Sequence, residues 1–474
     1  MACLAEVRVV LFVAVCCLPW LQCSLGLHPH THLPTQDLIR ARGYPAEVHH
    51  VLSEDGYILE LHRIPGARFS HSNSSGTSHQ LSIHPCDLWD RFGCRLHLHK
   101  LQIRLDPKDA WMGSLLDNCT ASDTLKRLCG RSSRNGGLSS RGTEKQRVVF
   151  LQHGVLCSSA DFVMNDPDQA LGFVLADLGY DVWIGNVRGN VYGRRHITLS
   201  PKQSEFWNFS WDKMAQYDMP AMLSYVRLVT GVSQLEYVGH SMGTTIFFAM
   251  MNYHPHINNW IRKMAAIAPS AYIHHTFIGY RALSPIVNFI NRLQILDGTY
   301  KKYEQGNFSL KIKNMLSRFC APSSLSQQLC KSIINIVGGP SLSNSIDNEY
   351  LPVIVAHTPA GGSNNIFAHY GQLIMARNFQ AYDNGETKNL LAYGTGKPPV
   401  FSLKAVTTPV ALFWSESDWV NSPPDVRQIA GELSRVVLSH RVEREMFNHL
   451  DFIWSEDAHI YVYRPLIKFL NTQL

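Results

Sequence analysis

Beyond its first two dozen residues the chain has no apolar run approaching the roughly 20 residues that a membrane-spanning helix needs, so no transmembrane helix is expected. It has no CxxC pair and no His/Cys array at zinc-ligand spacing, so neither a metal nor another cofactor is expected. It has no dense basic tract. The 43 Lys and Arg against 37 Asp and Glu leave a formal net charge of only +6, spread along the chain, and nucleic acid is excluded as an expected partner. Internal repeats are absent as well, which argues against solenoids and propellers.

What is present is a long chain with ample material for a core: 474 residues, 45% hydrophobic. That suits two or three domains, or one large α/β domain carrying an inserted cap. The 23 histidines read mostly as ordinary surface residues; those exposed would gain charge below about pH 6.5. At the N-terminus Arg8 precedes the apolar run Val9 to Val15, continued by Cys16, Cys17 and Leu18. Pro19 and small residues near Cys23 and Ser24 follow. This pattern predicts a secretory signal over residues 1–24. Sequons at Asn73, Asn118, Asn208 and Asn307 fit the same route. Seven cysteines lie outside the signal, and two of them, Cys320 and Cys330, flank a short loop containing Pro322. In an oxidising compartment these two are a natural disulfide.

Along the chain, residues 25–66 contain two strand-like runs, Glu47 to Val51 and Tyr57 to Ile64, separated by an Asp55-Gly56 turn, a hairpin signal. Residues 67–145 are rich in Ser, Gly, Arg and His, lack periodicity, and read as a disordered insertion. Two origins fit it: a lineage-specific loop, or sequence carried in by a splicing or gene-model error, which the composition favours. Over residues 146–269 strands and helices alternate: Arg147 to Gln152, Phe173 to Leu178, Asp181 to Ile184, Met219 to Val229, Gln234 to Val238, then a helix through Met251. Such alternation predicts a mostly parallel central sheet with helices on both faces. Residues 270–400 lose the alternation, carry helix-like stretches such as Pro285 to Leu296 and Lys311 to Phe319, and read as an inserted, mainly helical cap. Residues 401–474 return to the core, with strand Pro409 to Phe413, helix Pro424 to Val437, a strand near Val442 and a final helix from about His459.

The chemistry concentrates at Gly239-x-Ser241-x-Gly243, where a strand ends and a helix begins. A serine on that sharp turn exposes its Oγ at the positive end of a helix, and small neighbours let the turn close. Such a nucleophile needs a base and needs donors for the oxyanion. His153-Gly154 ends an earlier strand, so the backbone N–H groups of Val155 and Met242 are the candidate donors, with His153 itself organising the loop. The acid should follow the serine, at the C-terminal end of a strand. Asp418 fits; Glu416 and Asp425 are its rivals, and Asp425, just after Pro423-Pro424, looks like helix N-terminal chemistry. The base should come after the last strand, and His449 fits. His440 and His459 are the alternatives, and Asp451 reads as structural.

Taken together these strings resemble the acid lipase family, which includes gastric and lysosomal acid lipases. The resemblance runs from about Arg42 to the C-terminus and rests on Gly43-Tyr44-Pro45, Glu54 to Leu59, Arg63-Ile64-Pro65, Leu151 to Gly154, Gly185 to Asn190, Asn208 to Trp211, Gly239 to Thr245 and His449 to Trp454. It implies an α/β-hydrolase fold, a Ser241–Asp418–His449 triad, oxyanion donors at Val155 and Met242, and the Cys320–Cys330 disulfide. It also implies a lid in the cap over an acyl tunnel, and hydrolysis of triacylglycerols or sterol esters, at acid pH, at an oil–water or membrane interface. The chain departs from the family at Met242, where a Gln is usual, at Trp414-Ser415-Glu416-Ser417-Asp418, where a Gly pair usually precedes the acid, and in the segment 67–145.

The expectation is therefore a monomeric, secreted or lysosomal serine ester hydrolase acting on neutral lipid esters through an acyl-enzyme, with peripheral contact to membranes or lipid droplets. An esterase or thioesterase of another substrate class and a non-catalytic lipid-binding homologue on the same fold are the alternatives.

Overall fold

A computed structural model describes residues 28–68, 146–277, 279–282, 284, 304–305, 310–322, 326–342 and 345–473. The expected signal, nearly all of the segment 67–145, the helix-like stretch 285–296, and Asn73, Asn118 and Asn307 lie outside them.

Among the described residues one sheet has eight strands on its main path: β1 Glu47–Leu52, β2 Tyr57–Ile64, β3 Val148–Gln152, β4 Asp181–Gly185, β5 Leu235–His240, β6 Ile261–Ile267, β7 Val410–Trp414 and β8 Val436–Arg441. Their order is β1-β2-β4-β3-β5-β6-β7-β8, and a two-residue strand, Arg195–His196, pairs with β2. β1 and β2 form the expected antiparallel hairpin, and β2 also runs antiparallel to β4. The remaining neighbours are parallel. Every residue of β3, β4 and β5 is buried, as befits central parallel strands covered on both faces. In β3, Val148 and Phe150 face one core and Val149 and Leu151 the other, the two-residue alternation of a strand.

Among the described residues, the helices that accompany the sheet include α1 Thr35–Ala41, α2 Leu171–Asp177, α3 Met219–Thr230, α4 Met242–Tyr253, α5 Leu310–Phe319, α6 Ser326–Gly338, α7 Leu351–His357, α8 Asn364–Ala376, α9 Glu386–Tyr393, α10 Pro423–Glu432, α11 Asp451–Trp454 and α12 Arg464–Asn471. Met222 and Leu223 of α3 and Ile246 and Phe247 of α4 pack on the face of Phe150. Phe173 and Leu175 of α2 and Leu466 and Phe469 of α12 pack on the face of Val149. Helices α5 to α9 all fall between β6 and β7 in sequence. Among the described residues no helix is long and apolar enough to cross a membrane.

Two elements differ from the sequence reading. Strand β6 was not expected, because it opens Ile261-Arg262-Lys263. Lys263 is nevertheless buried, its Nζ donating to the carbonyls of Phe469 and Leu470 at 2.8 Å each, at the end of α12, where unpaired helix carbonyls favour a cation. The single helix expected over Pro424 to Val437 is α10 followed by β8. The chain turns at Leu433 so that Val436 can pair with Val410, and the last strand occupies Val436–Arg441, just before Val442.

The Gly185–Asn190 string contributes a buried ion cluster. Arg188 donates through Nε to Asp218 Oδ1 at 2.8 Å and through Nη1 and Nη2 to Asp55 at 2.6 and 2.7 Å. Its guanidinium lies 4.0 Å over the Tyr57 ring. The hairpin turn, the loop after β4 and the start of α3 are thereby tied together.

Burial also keeps several histidines neutral. His153, His357 and His369 are each pushed down to about 4. In the unfolded chain they would titrate near 6.5, so as the pH falls the unfolded state takes up protons first. The stability tied to neutrality is fully present above about 6.5 and is lost as the pH falls toward 4. His369 stacks on Trp211 at 3.9 Å and bonds to Ser210 Oγ and the Gln380 carbonyl, both at 2.9 Å. His369→Gln, which cannot titrate, is expected to shrink the loss of stability between pH 7 and pH 5 by about 2 kcal/mol. Urea denaturation at the two pH values reads this directly, and an unchanged pH slope would contradict it.

Candidate active site

Strand β5 ends at His240 and α4 begins at Met242, so the whole reversal falls on Ser241, held at φ 52°, ψ −118°. A non-glycine residue there costs about 1–3 kcal/mol and persists only where its surroundings over-determine it. Here the flanking glycines do so by close approach. A Cβ on Gly239 would lie 2.9 Å from the Gly243 carbonyl, and one on Gly243 would lie 2.4 Å from the Gln152 carbonyl oxygen. The Ser241 N–H donates to Ile267 O at 3.0 Å, anchoring the turn to β6.

Three side chains from three loops meet at this point. Ser241 Oγ lies 2.9 Å from His449 Nε2, and His449 Nδ1 lies 2.9 Å from Asp418 Oδ2. The other carboxylate oxygen, Oδ1, accepts the N–H groups of Val420 at 2.9 Å and Asn421 at 2.8 Å. All three residues are buried. Because the carboxylate can only accept, Nδ1 carries the ring proton, and Nε2 is left with a lone pair for the serine hydroxyl. Ser415 braces the acid loop, its Oγ donating to the Phe447 carbonyl and accepting the Ser417 N–H.

Gly154 crosses directly over the serine; a Cβ on it would lie 3.2 Å from Ser241 Cβ. The next amide is that of Val155. Among the described residues neither the Val155 nor the Met242 N–H has a hydrogen-bond partner, and the latter opens α4, where the helix dipole favours negative charge. The Met242 side chain is buried in the apolar core. His153 donates through Nδ1 to Gly154 O at 2.8 Å and accepts through Nε2 from Asn190 Nδ2 at 3.2 Å. It organises the loop, as expected.

The rival residues are engaged elsewhere. Glu416 is exposed and lies 3.6 Å from Arg441. Asp425 accepts from Ser422 Oγ at 3.0 Å and from the His275 N–H at 2.9 Å, at the start of α10. His440 Nε2 meets Tyr461 O at 2.9 Å, and His459 Nδ1 meets Glu456 O at 2.6 Å. Asp451 accepts Ser345 Oγ at 2.6 Å and the Asn448 N–H at 2.7 Å. The sequence reading missed His240, whose buried ring sits 5.2 Å from that of His449 and bonds to the His449 carbonyl at 3.2 Å. Burial and the neighbouring His449 hold it well below 6.5. Its position next to Ser241 in the sequence was the available signal.

Among the described residues one group could bring metal ligands together: His274, His275 and Asp425, with ligand atoms within 4.8 Å of one another. Asp425 already accepts His275 Nδ1 at 2.8 Å, and Arg281 and Arg377 place positive charge beside His274, a poor setting for a cation. Cys320, after α5, is disulfide-bonded to Cys330 in α6, and Cys157 is free and buried.

A mostly parallel sheet, a strained serine between strand and helix, and a buried histidine and carboxylate in line define a hydrolase of the α/β-hydrolase class. The comparisons agree. The alpha/beta hydrolase fold family matches residues 147–456, and the partial alpha/beta-hydrolase lipase region matches 35–84 and 124–166, breaking between them. The chain is 32% identical over 457 residues to lipase lipl-5 of Caenorhabditis elegans, covering 95% of each. It is 30% identical over 448 residues to gastric triacylglycerol lipase of Homo sapiens, covering 94% of this chain and 92% of that one. It is 31% identical to lipase 1 of Drosophila melanogaster, covering 93% of this chain and 80% of that one. The chain belongs to the α/β-hydrolase lipase family and is a carboxylic ester hydrolase.

Proposed function

We propose that Ser241, His449 and Asp418 are the catalytic triad of a lipase that cleaves neutral lipid esters, triacylglycerols or sterol esters, in the secretory pathway or lysosome. The observation that carries the reading is the hydrogen-bonded line from Asp418 through His449 to Ser241. His449 Nε2 takes the hydroxyl proton as Oγ bonds to the ester carbonyl carbon. The oxyanion is held by the N–H groups of Val155 and Met242. The carbon–oxygen bond to the alcohol breaks, the leaving oxygen takes the proton from His449, and an acyl-enzyme remains. His449 then takes a proton from water, whose oxygen attacks the acyl carbon, and the fatty acid departs as the proton returns to Ser241. Asp418 keeps Nδ1 protonated and faces the imidazolium throughout.

Residues 270–400 act as a cap on the core formed by 25–66, 146–269 and 401–474, with 67–145 an insertion. The reading of lipid as substrate is supported by α6 in this cap. Leu329, Ile333, Ile336 and Val337 are all exposed and fall at intervals that make one stripe of a helix, the kind of apolar face that meets a lipid surface. Asn208 is exposed and available for glycosylation. The protein works as a monomer, bound peripherally to the interface. The test is fatty-acid release from a long-chain triacylglycerol and a cholesteryl ester at pH near 5 and 7.5 by the purified glycoprotein. Larger release at the acid pH is expected. Turnover confined to short soluble esters would instead indicate a different ester class.

A further inference from the structure

We propose that the Gly338–Gly339 end of cap helix α6 is a positioning device that sets the Asp418–His449 pair; this rests on the triad reading above. Asp418 and His449 come from separate loops, one after β7 and one after β8. A single carbonyl, Gly338 O, accepts the His449 N–H at 3.2 Å and the Trp419 N–H, next to Asp418, at 3.3 Å. One residue further, Gly339 O accepts Asn448 Nδ2 at 2.9 Å. The Oδ1 of the same Asn448 side chain accepts the N–H groups of Leu450 and Asp451 at 2.8 and 3.0 Å, so Asn448 relays the position of α6 into the histidine loop. These carbonyls are available because α6 ends there; the last carbonyls of a helix have no partner within it.

Both positions lie close against the catalytic loops, and Gly339 excludes any side chain. A Cβ on Gly338 would lie 3.0 Å from the Asn448 amide atoms. Gly339 has φ 111°, and a Cβ there would lie 2.3 Å from the Ser417 carbonyl oxygen and 3.0 Å from Trp419 Cγ. Few side chains tolerate that backbone conformation, and no side chain fits that gap. The same helix end is fastened from the cap side. Tyr280 donates its hydroxyl to Val337 O at 2.6 Å, and Phe277, which stacks on Trp419 at 4.1 Å, donates its N–H to Trp419 O at 2.9 Å. Farther back, Cys330 bonds α6 to Cys320. The cap thus shapes the catalytic pair as well as covering it.

The test uses the full-length glycoprotein and a soluble ester, so that interface binding does not enter. Gly339→Ala is expected to lower kcat about 10- to 100-fold, the order that a displacement near 1 Å produces, with KM within twofold. Because a loosened Asp418 stabilises the imidazolium less, the acid limb of the kcat/KM profile moves to lower pH, which a cap that had merely weakened would not produce. Asn448→Ala, which keeps the glycines, is expected to move both in the same direction. Gly385→Ala, strained at φ 85° in the cap but with nothing within 4 Å of its Cβ position, is expected to leave both unchanged. Wild-type kcat and acid limb in Gly339→Ala overturn the proposal; if that variant does not fold, the same result in Asn448→Ala overturns it. A wild-type protein that a fluorophosphonate does not label at Ser241 overturns the triad reading itself, whereas labelled wild type with unaffected variants overturns the positioning role alone.

Discussion

Ser241→Ala is expected to abolish ester hydrolysis, with kcat down by about 10⁴-fold or more, while the protein folds as before. The size follows from what the hydroxyl does. On the proposed mechanism it supplies the atom that bonds to the acyl carbon, and among the described residues no other side chain hydrogen-bonds to His449 Nε2. The small residual rate would come from water attack assisted by the oxyanion donors alone. Folding should be indifferent, since the substitution removes one buried oxygen and one hydrogen bond, a matter of about 1 kcal/mol. The strained backbone at φ 52° is imposed by Gly239 and Gly243 and does not depend on the hydroxyl. Steady-state hydrolysis and a thermal melt on the same preparation check both halves. Near-wild-type turnover in the variant would remove Ser241 from the mechanism.

Asp418→Asn should cost nearly as much, about 10³- to 10⁴-fold in kcat, for a different reason. The carboxylate has two distinct duties. Oδ1 accepts two backbone N–H groups, from Val420 and Asn421, and Oδ2 accepts His449 Nδ1–H. An asparagine must keep its carbonyl oxygen toward the two amides, because an NH₂ there would face two donors. Its NH₂ is then left against His449 Nδ1. The imidazole responds by placing its proton on Nε2, where it can no longer accept from Ser241. The shape of the site is retained and the base is lost. Measured kcat should fall steeply while KM for a soluble ester changes little, and recovery at high pH should be partial at most. A variant within tenfold of wild type would point to another acid, with Glu416 and Asp425 the nearest in sequence.

Both predictions were accessible before the structure because the chemistry sits where local patterns change. A buried apolar strand meeting a helix at Gly-x-Ser-x-Gly shows in a window of a dozen residues, and so does an acid at the end of a strand. Asp418 stood out although its loop lacks the usual glycines, because the preceding strand was legible. What stayed hidden depends on long-range partners. Strand β6 was masked by Lys263, whose burial makes sense only once the end of α12 supplies carbonyls. The boundary between α10 and β8 was blurred because the apolar spacing of the helix carries on through Leu433 into Val436. The tie from Gly338 to Trp419 and His449 spans about a hundred residues of chain. Two adjacent glycines at the end of a helix look like any C-terminal stop signal, and only the packed structure reveals what they lie against.

The most direct test is the intact mass and peptide map of purified protein after treatment with a fluorophosphonate, with residual hydrolysis followed in parallel. A single adduct is expected on the peptide containing Ser241, its extent matching the loss of activity throughout the time course, with no adduct in Ser241→Ala. Hydrolysis that persists with Ser241 fully modified, or inactivation with the adduct on another residue, would contradict it.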